Sequence, residues 1–176
     1  MDDAVREKAR GVKMLLLDVD GVLTDGTFVP GSAAGDETKR FHSRDGIGLV
    51  LARKAGIKLG LISGRSSRIV EARAHELSIP FVRLGVSDKL EALHEALSQE
   101  SLSLPDIAYM GDDLPDLVVL SRVGLSATVA DAPLEVRSRV DYVTQARGGH
   151  GAVRELIELI LMSQERLEEL VQGYLR

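Results

Sequence analysis

The chain is expected to fold as an α/β protein, a Rossmann-like parallel sheet with helices on both faces. Three observations carry that expectation. Short apolar runs of strand length alternate with stretches of helical spacing along the 176 residues, which calls for right-handed βαβ crossovers. The strand-like runs are apolar almost throughout, as in strands covered on both faces. Carboxylates and other polar residues gather just past the ends of those runs, where open parallel sheets bind ligands.

Taken in order, VKMLLLDV (12–19) is the first strand. The region from Asp20 to the helix near 46 breaks the alternation. GTFV and ETKRF flank a turn rich in Pro, Gly, Ser and Ala, so residues 25–41 read as a protruding β-hairpin. GIGLVLARKAG (46–56) has helical spacing and a glycine stop, and IKLGLIS (57–63) is the next buried strand. A serine N-cap signal opens a helix over 66–79; FVRLG (81–85) is the third strand. Ser87 caps an amphipathic helix over 87–102, and IAYMG (107–111) is the fourth strand, followed by the helix LPDLVVLSRV. GLSATV (124–129), a helix around 133–138 and DYVT (141–144) lead into one long amphipathic helix over 152–175. With no long linker or internal repeat, residues 1–176 read as one domain.

Composition narrows the function. Hydrophobic residues make up 44 % and charged residues 28 % of the chain, ordinary values for a globular protein. No apolar run approaches the roughly 18 residues needed to span a bilayer. The first residues, MDDAVREKARGVK, mix acids with bases around no apolar core, unlike a secretory signal. The absence of cysteine removes disulfides, thiolate chemistry and cysteine-built metal sites, and cytoplasmic residence is the default. A net charge of −5, 3 % aromatics and no tryptophan argue against nucleic-acid binding, which needs a basic footprint and stacking surfaces.

Asp18 and Asp20 follow the first strand, Ser63 the second, Asp112 and Asp113 the fourth, and Lys89 opens the helix after the third. They are distant in sequence but share one edge of the expected sheet. Carboxylates gathered beside apolar residues repel one another unless a cation sits between them. A hard cation with oxygen ligands, Mg²⁺ first, relieves this and leaves positions for water and a phosphate. One aspartate can then attack phosphorus while a second protonates the leaving oxygen and later deprotonates water. Ser63 and Lys89 are placed to hold phosphoryl oxygens. Asp113 and Asp116 read either as residues supporting the ligands from behind or as capping residues, and stay outside the ligand set. His75, His94 and His150 form no zinc-type pair.

DVDGVLTDG, ISGRSS, SDKLEAL and GDDLPDL resemble, in order, the four motifs of the haloacid dehalogenase superfamily. The resemblance implies Asp18 as nucleophile, Asp20 as acid and base, and Ser63, Gly64 and Lys89 as phosphate holders. It also implies Mg²⁺ bound by Asp18, Asp112 and the backbone carbonyl of Asp20. The presence of Asp20 favours a phosphatase over the superfamily's dehalogenases and P-type ATPases. Only 42 residues separate Asp20 from Ser63 and 25 separate Ser63 from Lys89, so no cap domain is expected. An open site suits a lid supplied by another subunit, and the hairpin is the candidate for reaching it.

FHSRDGIG, GVSDKL, YMGDDLPDL, VGLSATVADA and DYVTQARGGHGAVREL, with the motifs above, are similar to the 3-deoxy-D-manno-octulosonate 8-phosphate phosphatase family over nearly the whole chain. That likeness implies a Mg²⁺-dependent homotetramer built through its hairpins, acting on an acidic sugar phosphate in lipopolysaccharide inner-core synthesis. It places His42, Ser43, Arg44, Asp45 and Gly46 against the sugar, although position 42 is histidine where asparagine is expected. Arg65 and Arg73 are further cations for the substrate, arginine being suited to bidentate carboxylate recognition. Three alternatives stay open: a phosphatase for a nine-carbon sugar acid 9-phosphate, where glutamate is expected in place of Arg65, a broad housekeeping phosphatase for small metabolites, and a non-catalytic binding module. GGHGAVREL (148–156) reads either as a mobile loop before a helix or as a segment approaching a neighbour's active site.

Overall fold

The computed structural model describes residues 2–31 and 37–175; the tip of the expected hairpin, 32–36, lies outside the described residues. In order the chain forms α1 (Asp3–Arg10), β1 (Met14–Leu17), β2 (Val29–Pro30), β3 (Glu37–Thr38), α2 (Ser43–Lys54) and β4 (Lys58–Ser63). There follow α3 (Arg68–Glu76), β5 (Phe81–Leu84), α4 (Lys89–Glu100), β6 (Ile107–Met110) and α5 (Leu117–Leu120). The chain ends with β7 (Leu125–Thr128), α6 (Leu134–Arg137), β8 (Tyr142–Val143), α7 (Ala152–Ser163) and α8 (Leu167–Gln172).

Six strands make one sheet in the order β5-β4-β1-β6-β7-β8, every neighbouring pair parallel. The chain builds outward from β1 to β5, then returns to lay β6, β7 and β8 on the other side. The order therefore reverses at β1/β6, which is where such sheets bind ligands. All four residues of β1 are buried; because successive side chains point to opposite faces, both faces of the sheet are covered. The cover comes from α1, α2 and α7 packed together and from α4 with α5. Gly60 in β4 is needed for close packing: a β-carbon there would lie 2.5 Å from Leu16 Cδ2 and 2.9 Å from Phe81 Cδ1. No helix among the described residues is long and apolar enough to cross a membrane.

Several local expectations are corrected. The final helix is not continuous: it stops at Ser163 and restarts at Leu167. Glu165 adopts φ +57°, and Arg166 N–H donates to Leu161 O while Glu165 N–H donates to Met162 O, a Schellman stop with glutamate where glycine is usual. The Arg166 guanidinium is tied to the carbonyl of Ala55, which fixes the break from outside the helix. The cap of α4 is Asp88, not Ser87; its Oδ1 accepts from Leu90 N at 2.8 Å and Glu91 N at 3.3 Å. The paired strands of the hairpin are only two residues each, Val29–Pro30 against Glu37–Thr38.

Candidate active site

The first carboxylate stands where β1 runs out. Asp18 N–H donates to Met110 O of β6 at 2.9 Å, so the backbone is still sheet-paired as the side chain reaches the strand end, 6 % exposed. The next residues wind tightly, with Val19 O accepting from the N–H of Leu23 at 2.9 Å and Thr24 at 3.1 Å. Thr24 Oγ1 locks this loop: it accepts from Gly21 N and Gly26 N and donates to Val19 O. Gly21 has φ +89°, and a β-carbon on it would stand 2.0 Å from Asp112 Oδ2. The Asp112 carboxylate thus lies directly over the glycine that follows Asp20.

Lys89 begins α4, and its ammonium donates to Asp18 Oδ1 at 2.9 Å and Asp116 Oδ1 at 2.6 Å. Asp116, expected to support the ligands or to cap, does both: it is buried and has four donors. Tyr109 OH lies at 2.5 Å and Lys89 Nζ at 2.6 Å on Oδ1, with Asp112 N at 3.1 Å and Asp113 N at 3.2 Å on Oδ2. A carboxylate has about four acceptor sites, so Asp116 is saturated. It fixes Lys89 on one side and the start of the 111–116 loop on the other.

Oxygens of Asp18, Asp112 and Asp116 all lie within 4.8 Å of one another. Burial, reinforced by the charge of Asp116, pushes Asp18 up to about 6 despite Lys89. Burial and the charges of Asp18 and Asp116 push Asp112 up to about 8. Burial works against the charge on Lys89, but Asp18 and Asp116 together outweigh it and raise its pKa. One lysine among three carboxylates leaves a deficit of positive charge. The donor set is all oxygen, which fits a hard divalent cation. With Asp116 saturated, the side chains free to hold such an ion are those of Asp18 and Asp112. No donor among the described residues is paired with the Asp20 carbonyl, which leaves it available as a third ligand.

Ser63, 3 % exposed at the end of β4, accepts from Arg65 N at 3.3 Å through Oγ, leaving its own hydroxyl proton to donate. A cleft of about 360 Å³ is lined by Asp18, Asp20, Ser63, Gly64, Arg65, Lys89 and Asp112, joined by Gly26, Phe28, Asp113, Pro115 and Asp116. The expected nucleophile, acid/base, phosphate and metal residues are therefore brought together.

The remaining expected substrate residues do not line this cleft in the single chain. His42 caps α2, its Nδ1 facing Arg44 N at 3.3 Å, and Ser43 and Arg44 are exposed. Asp45 is 1 % exposed and accepts from Gly151 N at 3.2 Å and Arg154 N at 2.8 Å; its carboxylate holds the start of α7. Gly46 lies under Arg73, whose Nη2 would be 2.6 Å from a β-carbon there, and Arg73 pairs with Glu76 at 2.8 Å. The GGHG segment is packed against the loop after β1 of its own chain: Gly149 N donates to Val22 O at 2.9 Å, and a β-carbon on Gly148 would be 1.8 Å from Gly21 O.

Around Asp20 and the expected Arg65 the structure adds Lys39, Glu37 and Phe28, which sequence reasoning missed. Lys39 is joined to Asp20 Oδ1, lies 3.6 Å from Glu37 and has a side chain only 1 % exposed. Arg65 is 3.7 Å from both Asp20 and Glu37, and the Phe28 ring lies under the cations of both Arg65 and Lys39. The only available signal was a cation in a segment otherwise rich in turn residues.

The chain's likeness to known proteins is specific. The sequence model for haloacid dehalogenase-like hydrolase matches residues 79–156. The chain is 43 % identical to the 3-deoxy-D-manno-octulosonate 8-phosphate phosphatase of Escherichia coli K12, over 92 % of this chain and 86 % of the other. The crystal structure of that phosphatase from Yersinia pestis superposes with a TM-score of 0.93 at 42 % identity, covering 96 % of this chain and 90 % of the other. The enzyme from Moraxella catarrhalis, solved with magnesium ion, phosphate ion and KDO, gives a TM-score of 0.95 at 39 % identity over 99 % of both chains.

Proposed function

Because the chain belongs to the haloacid dehalogenase-like hydrolases, among the 3-deoxy-D-manno-octulosonate 8-phosphate phosphatases, we propose that it cleaves 3-deoxy-D-manno-octulosonate 8-phosphate to the free sugar acid and phosphate. Its place is then in lipopolysaccharide inner-core synthesis, in the cytoplasm, as one domain over residues 1–176. The observation that carries this reading is the convergence of Asp18, Asp20, Ser63, Lys89 and Asp112 on one cleft at the sheet's switch point.

An Asp18 carboxylate oxygen attacks phosphorus, and the bond to the ester oxygen breaks. The electron pair left on that oxygen takes the proton of the Asp20 carboxyl, giving the free sugar and an aspartyl-phosphate. Asp20, now a carboxylate, takes a proton from water as the water oxygen attacks phosphorus and releases Asp18. The Ser63 hydroxyl, the backbone at Gly64 and Lys89 hold the phosphoryl oxygens, and such preorganised charge is the main source of rate in phosphoryl transfer. Mg²⁺, when held by Asp18, Asp112 and the Asp20 carbonyl, supplies neutralisation of the phosphoryl charge.

Arg65, on the cleft wall, is assigned to the sugar acid's carboxylate. His42, Ser43, Arg44, Gly46 and Arg73, off the cleft in one chain, are assigned to the sugar where subunits meet; Asp45 frames them by holding α7. A homotetramer joined through the hairpins brings such residues together, and the exposed apolar side chains Phe28, Val29 and Ile47 support it. Arginine at position 65 favours the eight-carbon acid over a nine-carbon one.

The test is phosphate release from 3-deoxy-D-manno-octulosonate 8-phosphate, nine-carbon sugar acid 9-phosphates and p-nitrophenyl phosphate, with Mg²⁺ or EDTA. Mg²⁺-dependent preference for the eight-carbon ester, abolished in Asp18→Asn, is expected. Equal rates across the panel would sink the substrate assignment, and no turnover would leave a binding module.

A further inference from the structure

We propose that Lys39 is a positioning residue for Asp20, an inference that rests on the reading of Asp20 as proton donor and acceptor. Lys39 follows β3 at the base of the hairpin, where a lysine would ordinarily reach into water. Its side chain is instead 1 % exposed, and its ammonium is bound to Asp20 Oδ1. Burying an ammonium is costly unless it is paired, and the pairing here is thorough. Glu37 Oε2 lies 3.6 Å away and the Phe28 ring centre 4.8 Å away.

Glu37 carries the connection further. It accepts from the hydroxyl of Ser67, which caps α3 through Val70 N at 3.3 Å, and it lies 3.7 Å from Arg65. The base of the hairpin thus cross-links the loop after β1, which carries Asp20, to the loop after β4, which starts from Ser63 and carries Gly64. Lys39 is absent from the lining of the cleft, although Phe28 and Arg65 are present in it. Its ammonium faces Asp20 and not the space a substrate enters. Proton transfer needs Asp20 within about 2.6–3.2 Å of the ester oxygen. Asp20 stands on a loop; Arg65, half-exposed, lies 3.7 Å from its Oδ2, and the buried Lys39 is the nearer partner that fixes its carboxylate through Oδ1.

This role has a signature that a merely structural one lacks. An alkyl ester oxygen must be protonated as it leaves, whereas p-nitrophenolate leaves without a proton. The constant kcat/KM reports the step in which the leaving group departs. In Lys39→Met, kcat/KM for the sugar acid phosphate is expected to fall at least about 10-fold further than for p-nitrophenyl phosphate, part of the roughly 10²–10⁴ that acid–base catalysis supplies. Lys39→Arg restores most of the difference. In an Asp20→Asn background Lys39→Met adds no further loss, because the two act as one unit. Lys39→Gln, neutral and less disruptive, gives the same direction should Lys39→Met fail to fold in a thermal melt. Equal losses for both esters, or a rise in KM alone, overturn the proposal while leaving Asp20's role intact. An unchanged ester ratio in Asp20→Asn itself would remove the reading of Asp20, and the proposal with it.

Discussion

Gly21 and Asp112 occupy each other's space: a β-carbon on Gly21 would stand 2.0 Å from Oδ2 of Asp112 and 2.5 Å from its Cγ. The glycine is there for two reasons at once, its φ of +89° and the carboxylate above it. Gly21→Ala is expected to displace Asp112 and weaken Mg²⁺ about 10–100-fold, the range found when groups supporting a metal ligand are disturbed. Titrating phosphate release with Mg²⁺ checks this; an unchanged half-saturation would show that Asp112 does not hold the ion.

Asp116 is expected to matter for stability as much as for rate. Asp116→Ala leaves Lys89 buried beside Asp18 alone and strips Tyr109 OH and two backbone N–H groups of their acceptor. Breaking a buried pair in this way costs about 3–5 kcal/mol, a fall in Tm of several degrees or more in a chain of this size. Thermal unfolding followed by circular dichroism measures it.

Protons and Mg²⁺ compete for the same charge deficit. Asp18 and Asp112 are raised to about 6 and about 8 without a cation. A carboxylate raised on folding binds protons more tightly in the native state, so its contribution is lost as pH climbs through the interval above its ordinary value. In EDTA, stability is expected to decline between about pH 4 and pH 8. Added Mg²⁺ raises Tm more at pH 8 than at pH 5. A Mg²⁺ increment that does not grow with pH would contradict this assignment of the charge deficit.

Asp45 and the start of α7 form a cap across the fold. Asp45→Ala is expected to cost about 1–2 kcal/mol, the range for losing a helix-capping carboxylate, read as a lower denaturation midpoint. No change in midpoint would release Asp45 for a direct role at the substrate.

Assembly is open to a mass measurement. A tetramer has four times the chain mass of 19.0 kDa, and light scattering distinguishes it from a dimer or monomer. Val29→Asp, placing a charge on the exposed hairpin strand, is expected to shift the mass downward and reduce activity together. A monomeric, fully active wild type would end the proposal of a shared lid.

The sheet and the gathering of the candidate site residues were legible because both are written locally. Each apolar run is a strand by its own composition, and Asp18, Ser63 and Asp112 follow their strands directly. Parallel topology alone brings them to one edge. Lys39 was not legible: beside a turn-rich segment it reads as a solvated cation, and only the folding of Phe28 and Asp20 around it makes it buried. Resemblance alone places Asp45 against the sugar; its hold on Gly151 and Arg154 was not legible because those partners lie at the far end of the chain. Asp116 reads as supporting or capping; its bonds to Asp112 N and Asp113 N are local, but the partner it supports, Lys89, comes from another element. The break at Glu165 carries no glycine; it depends on Arg166 reaching Ala55.

The central place of β1 has a consequence for how the chain is made. It leaves the ribosome before either strand that will flank it, and synthesis proceeds from the N-terminus at roughly 5–20 residues per second. β4 arrives after the hairpin and α2, and β6 only after two more helices and β5. For that interval the most apolar segment of the nascent protein has two open edges, each able to pair with another chain. Asp18, the proposed nucleophile, emerges attached to it, long before the Lys89 that will partner it. Translation thus delivers the heart of the enzyme first and its insulation last.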